Sequence, residues 1–134
     1  MTGTITVKAA EEMRARRPGD VLELTFEWSL SEAPESVEAR LCWFTQGKGT
    51  QDITIVETQP ATPAMRGEQR VRFKLPSAPY SFSGRLVSLI WAVELVADDL
   101  AERWEFQLGP QGKEVLLGDS VQRLPGASDY ARAR

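Results

Sequence analysis

The sequence predicts an all-β fold, a sandwich of two antiparallel sheets. Three observations carry that expectation. Period-two alternation of apolar and polar residues dominates the chain. A strand stopped by a proline, Val71-Arg72-Phe73-Lys74-Leu75-Pro76, is followed by a short segment with a second proline, Pro79. The long apolar strand from Arg85 to Asp98 follows at once. Helix-period patterns are nearly absent, which disfavours parallel α/β folds and their usual cofactor sites.

The elements follow in order. Ile5, Val7 and Ala9 alternate with Thr4, Thr6 and Lys8 as a first strand. The polar run from Glu11 to Arg17 reads as a connection, because Pro18 biases Arg17 away from helix. Leu22, Leu24, Phe26, Trp28 and Leu30 share one face of the clearest strand, with Glu23, Thr25, Glu27 and Ser29 on the other. A turn with Pro34 follows. Val37, Ala39, Leu41 and Trp43 then mark a third strand, and Gln46 to Thr50 a flexible polar connection. Ile53 and Ile55 mark a short strand. Residues 58–67, with Pro60, Pro63 and Gly67, are expected as an exposed, mobile loop. Val71, Phe73 and Leu75 point inward, with Arg70, Arg72 and Lys74 outward. Val87, Leu89, Trp91, Val93 and Leu95 line the long strand, and Trp104, Phe106 and Leu108 the next. Lys113 to Leu117 reads as a last edge strand. The expected organisation is a sandwich over residues 1–117 and a weakly ordered tail over residues 118–134.

Composition narrows the function classes. A chain of 134 residues suits one domain with a core that needs no staples. Its net charge of -3 argues against a nucleic-acid partner, which calls for a clustered basic surface. The single cysteine, Cys42, cannot close an internal disulfide, so a reducing compartment, the cytoplasm, is the expected location. No apolar run approaches the roughly 18 residues of a spanning helix, and the first twenty residues hold no signal-peptide block, so membrane insertion is not expected. Histidine is absent, which removes the commonest general base and the commonest metal ligand. No catalytic constellation, metal site or cofactor is therefore expected.

The turn Arg17-Pro18-Gly19-Asp20, the segment Phe73-Lys74-Leu75-Pro76 with Pro79-Tyr80-Ser81-Phe82, and Gly84 followed by Ile90-Trp91-Ala92-Val93-Glu94-Leu95 form a set. On these residues the chain resembles the arrestin-like β-sandwich family over about residues 17–98. Members of that family act mostly as adaptors and scaffolds, in receptor trafficking, in retromer-like coats and in bacterial sporulation control. The resemblance implies a non-enzymatic protein-binding role. Arrestins proper carry two such sandwiches and this chain has room for one. The charged core with which they sense receptor phosphates has no residue-by-residue match here. A divergent immunoglobulin-like or fibronectin-like domain fits the same alternation, although the Cys-Trp-Cys arrangement of a true immunoglobulin domain is missing.

The remaining features divide into structural and functional candidates. Trp28, Trp43, Trp91 and Trp104 each sit on the apolar face of their strand and read as core. Arg70, Arg72 and Lys74 read as cross-strand partners of outward glutamates, among them Glu23, Glu27, Glu38 and Glu105. Arg14, Arg16 and Arg17 read as a solvated loop. Asp98-Asp99 reads as a turn former, and Gly47-Lys48-Gly49-Thr50 lacks the spacing of a phosphate loop. Cys42 reads as a small apolar residue without an activating base. The functional candidate is an apolar patch on the outer face of one sheet, formed by Phe44 beside Cys42 and by Leu86, Ile90 and Ala92. Residues 9–17 or the tail are one candidate cover for it; a protein partner or a second copy of the chain is the other. The expected function is a non-enzymatic intracellular binding or scaffold module that docks a protein partner on Phe44, Leu86, Ile90 and Ala92, or else a homo-oligomer that uses the same face.

Overall fold

The computed structural model describes residues 2–11, 14–47, 49–84, 86–110 and 115–116. The strands are β1 (Gly3–Ala9), β2 (Ala15–Arg16), β3 (Val21–Leu30), β4 (Val37–Gly47), β5 (Thr50–Ala61), β6 (Arg66–Lys74), β7 (Phe82–Ser83), β8 (Ser88–Ala97), β9 (Leu100–Leu108) and β10 (Val115–Leu116). Among the described residues there is no helix, and the fold is a two-sheet β-sandwich.

One sheet has the order β1-β3-β6, antiparallel throughout. The other is centred on β4 and β8, with β5 outside β4. The far side of β8 is shared: β7 pairs with Ser88 and Leu89, and β9 pairs with Trp91 to Ala97. Two short parallel additions complete this sheet, β2 on β9 and β10 on β7.

The core lies where the inward rows of the two sheets meet, as alternation requires. Leu22, Leu24, Phe26 and Trp28 of β3 pack with Val71 and Phe73 of β6, Leu41 of β4, Trp91 and Val93 of β8, and Trp104 and Phe106 of β9. The expectation of a tryptophan-rich core holds for Trp28, Trp91 and Trp104, and half-buried Trp43 packs on its margin. Two buried indoles find acceptors. Trp91 Nε1 donates to the Pro79 carbonyl at 2.7 Å, and Trp28 Nε1 to the Ala64 carbonyl at 2.9 Å. The Ala78-Pro79 peptide is cis.

Two segments behind the family resemblance meet in space. In the Arg17–Asp20 turn the Arg17 amide donates to the Asp20 carboxylate at 2.8 Å, and Gly19 takes the positive φ of 85° that suits a residue without Cβ. The Gly19 amide then donates to the Leu75 carbonyl at 2.9 Å, and the Leu75 amide to the Asp20 carbonyl at 2.8 Å. The turn is thereby fastened to the end of the strand that stops at Pro76.

Several sequence expectations need correction. Residues 58–67 are mostly strand rather than a mobile loop: β5 runs to Ala61, β6 starts at Arg66, and only 62–65 connect them. Pro60 is compatible with the strand because β5 is an edge, where a missing N–H leaves no ladder bond broken. The connection is tied down by the Leu30 amide donating to the Met65 carbonyl and by Trp28 Nε1 on Ala64. Val87, placed inward by alternation, is exposed just before β8 begins. The basic run Arg14–Arg17 is not a uniformly solvated loop. Arg16 is 6% exposed, with Nη2 donating to the Glu11 carbonyl, and Arg14 lies 4.6 Å over the Trp104 ring while donating to the Glu105 carbonyl. Asp98, at φ 53°, turns the β8–β9 hairpin and also accepts from the Glu35 and Ser36 amides, so it pins the connection between β3 and β4. Of the outward basic residues on β6, Arg70 reaches Glu23 at 3.5 Å, while Glu38 is taken by Arg40 at 2.7 Å. The expected edge strand over 113–117 is represented by β10, and the expected tail over 118–134 lies outside the described residues.

Candidate interaction surface on the outer sheet

The outward faces of β5, β4, β8 and β9 form one surface whose rows follow from the pairing. One row runs Ile53, Phe44, Ile90 from the edge inward. The next runs Ile55, Cys42, Ala92, Glu105, and a third runs Thr58, Arg40, Glu94, Arg103. The face is thus apolar at one end of the strands and charged at the other.

Its centre is covered. Phe44 is 1% and Ala92 0% exposed; with buried Cys42 and part-buried Ile90 they form a second small cluster, separate from the sandwich core. The Arg103 side chain reaches from β9 toward β4. Its Nε and Nη2 donate to Glu94 at 3.3 and 3.2 Å, while its guanidinium carbon lies 4.3 Å over the centroid of the Phe44 ring. An arginine in that position covers the ring with its flat face and keeps its charge paired.

The residues singled out from the sequence are therefore divided. Phe44, Ile90 and Ala92 do come together. Phe44 and Ala92, however, are not open surface: they are buried in one cluster with Cys42, Ile90 packs against it, and the Arg103 guanidinium lies over the Phe44 ring. Leu86 stands apart, 66% exposed, beside the end of β4. Gly47 makes that approach possible, because a Cβ there would collide with the Leu86 carbonyl.

The open apolar surface lies one strand further out. On β5, Ile53 is 53%, Ile55 48% and Val56 45% exposed. Among the described residues β5 pairs with β4 alone, so its other edge presents backbone groups to solvent. A β-bulge sits where Leu41 pairs with Glu57 and Cys42 with Ile55; Val56 is the extra residue. Alternation marks Ile53 and Ile55 as a short strand and does not say which way they face. The available signal was the pairing of two β-branched apolar residues with a strand free of lysine and arginine.

The Cys42 thiol is buried, with Sγ 3.6 Å from the Ala92 carbonyl. Burial pushes its pKa up, the Glu94 carboxylate adds to the shift, and Arg103 and Arg40 oppose it. The thiol is therefore a packing group at neutral pH, not a nucleophile. Elsewhere, in a depression beside β7 and β9, the Ser81 hydroxyl accepts from the Leu108 amide and Arg14 donates to the Glu105 carbonyl. Among the described residues no group of three acidic, cysteine or histidine side chains is placed to hold a metal ion.

A two-sheet β-sandwich is the class that this arrangement defines, and comparison with a solved structure supports that fold. Spo0M, the sporulation control protein of Bacillus subtilis, superposes with a TM-score of 0.51 at 14% identity, over 80% of this chain and 50% of Spo0M. The chain thus spans about half the length of that structure, and the likeness is one of fold. A β-glucosidase from Listeria innocua in complex with isofagomine overlaps 86% of this chain but 17% of its own, at 14% identity and a TM-score of 0.44. No family model matches the chain, and no curated protein matches it by sequence.

Proposed function

We propose that the chain is a non-enzymatic binding module of the cytoplasm, a divergent arrestin-like domain that docks a protein along the open edge of β5. The observation that carries this reading is the run Ile53, Ile55 and Val56, half-exposed on a strand whose far edge is unpaired among the described residues. An extended segment that adds there gains main-chain hydrogen bonds and buries the isoleucines, which is the general mode of strand addition. The absence of histidine from the sequence supports a non-enzymatic reading, and the lone cysteine a reducing compartment.

The reading is tested by affinity capture of the tagged chain from its own cell extract, beside the variant Ile53→Lys/Ile55→Lys. The expected result is a protein retained by the wild type and lost by the variant at unchanged melting temperature. A partner retained equally by both places docking elsewhere on the sandwich and overturns the proposal.

A further inference from the structure

We infer that the occupant of the β5 edge is a second copy of this chain, paired antiparallel about a two-fold axis at Ile53. The inference rests on the reading of β5 as a docking edge and names what docks there.

Facing comes first. A two-fold axis perpendicular to a sheet keeps outward residues outward, so an isologous pairing joins residues of like facing. Residues 51–55 form the regular part of β5 before the bulge at Val56, with Gln51, Ile53 and Ile55 outward and Asp52 and Thr54 inward. Centring the axis on Ile53 uses that whole segment. Ile53 faces the second copy's Ile53, Gln51 faces its Ile55, and Asp52 faces its Thr54. A centre at Asp52 sets carboxylate against carboxylate, which is unfavourable. A centre at Thr54 sets Asp52 against Val56, and a centre at Ile55 runs the pairing through the bulge.

Charge and continuity point the same way. The segment carries no basic residue, and at this register its one acid, Asp52, meets a threonine hydroxyl that can donate to it. The outward row Ile90–Phe44–Ile53 ends at the open edge. A two-fold copy continues it with the same residues in reverse order, so the small cluster around Phe44 becomes one apolar strip across a joined sheet. The facing edge of the other sheet, β6, by contrast presents Arg66, Arg70, Arg72 and Lys74.

The test is sedimentation equilibrium of the full chain over a wide concentration range, beside Ile53→Lys, with cysteine cross-linking to read the register. The wild type is expected to dimerise, and Ile53→Lys to weaken the dimer by about thirtyfold or more, as a central interface residue does, with a thermal melt that matches the wild type at dilutions where both are monomeric. In a Cys42→Ala background, Ile53→Cys is expected to form a dimer disulfide, because directly opposed residues of antiparallel strands have Cα atoms about 4.5–5.5 Å apart. Ile55→Cys is expected to remain uncross-linked, because at this register the two copies of residue 55 lie four residues out of step, roughly 13 Å. A chain that stays monomeric, a dimer indifferent to Ile53→Lys, or cross-linking at residue 55 in place of 53 each overturn the inference. A monomer that still loses a captured protein on Ile53→Lys overturns the dimer and leaves the docking edge standing.

Discussion

Strands β5 and β6 border the same side of the sandwich, each paired with a single neighbour among the described residues, and they present opposite chemistry to solvent. On β6 the outward positions are Arg66, Glu68, Arg70, Arg72 and Lys74, and the Gln59 amide of β5 caps the free Arg72 carbonyl at 2.8 Å. Charged side chains and a covered carbonyl are the means by which proteins blunt an edge. The second half of β5 is blunted as well, by the bulge at Val56 and by Pro60. Its first half, Gln51 to Ile55, has no basic residue, proline or bulge, and Asp52 is its one charge. One edge is thus blunted by charge along its length, and the other by a bulge and a proline over its second half alone.

The comparison sharpens at two adjacent residues. Phe44 and Ile53 are directly paired and face the same way, yet one is buried and the other half-exposed. The largest expected effect is therefore at Phe44. Phe44→Ala removes a buried ring and is expected to cost about 3–5 kcal/mol, read as a shift in the denaturant midpoint at constant m-value. Ile53→Lys is expected to leave the stability of the isolated domain within about 0.5 kcal/mol, since it lies on an exposed edge. Equal losses at the two positions would break the distinction between cover and contact surface.

Arg103 supplies the intermediate case. Arg103→Ala removes the guanidinium from the Phe44 ring and leaves the Glu94 carboxylate without its partner. The expected loss is about 1–2 kcal/mol, combining an exposed-to-half-buried cation–π contact with a partly screened ion pair. Arg103→Lys keeps the charge but not the flat face, and is expected to recover only part of it. If both variants melt with the wild type, the cover over Phe44 comes from elsewhere.

Much of this arrangement is legible in the sequence, and the limits have a physical origin. Alternation places Leu22 to Leu30 and Val71 to Leu75 on the correct faces, because β3 and β6 each have one face on the core and one on solvent. It also places Cys42, Phe44 and Ala92 of β4 and β8 on the correct, outward face, but it does not show that these apolar side chains pack on one another with Ile90 and under Arg103, and so are buried there too. Which strand is central and which is an edge is a property of strand order, and strand order is not encoded in the local period. The same gap explains why alternation points to Phe44 and Ala92 while the open residues are Ile53, Ile55 and Val56. Leu86 was found exposed as expected. The bulge at Val56 leaves no compositional mark, so the length of β5 was also out of reach.

The smallest expected effect concerns the thiol beneath Arg103. Cys42 is held neutral by burial first and by Glu94 second, so its pKa in the folded chain lies above the ordinary value of 9.0. Below pH 9 both folded and unfolded chains keep the proton and the group adds no pH dependence. As pH rises past 9 the unfolded chain releases its thiol proton while the folded chain retains it, so the unfolded state binds fewer protons and stability falls. The stabilisation attached to the raised pKa is thus complete at neutral pH and is lost upward through the window between the unfolded and folded values. Unfolding free energies at pH 8 and pH 10 are expected to differ more for the wild type than for Cys42→Ala, which lacks the thiol. Glu94→Gln removes the carboxylate that adds to the shift, and is expected to reduce the pH dependence without abolishing it, because burial remains. A wild type and a Cys42→Ala chain with the same alkaline slope would show that the outer cluster opens to solvent. Phe44 would then join Ile53 as contact surface, and the contrast between the two residues would fall with it.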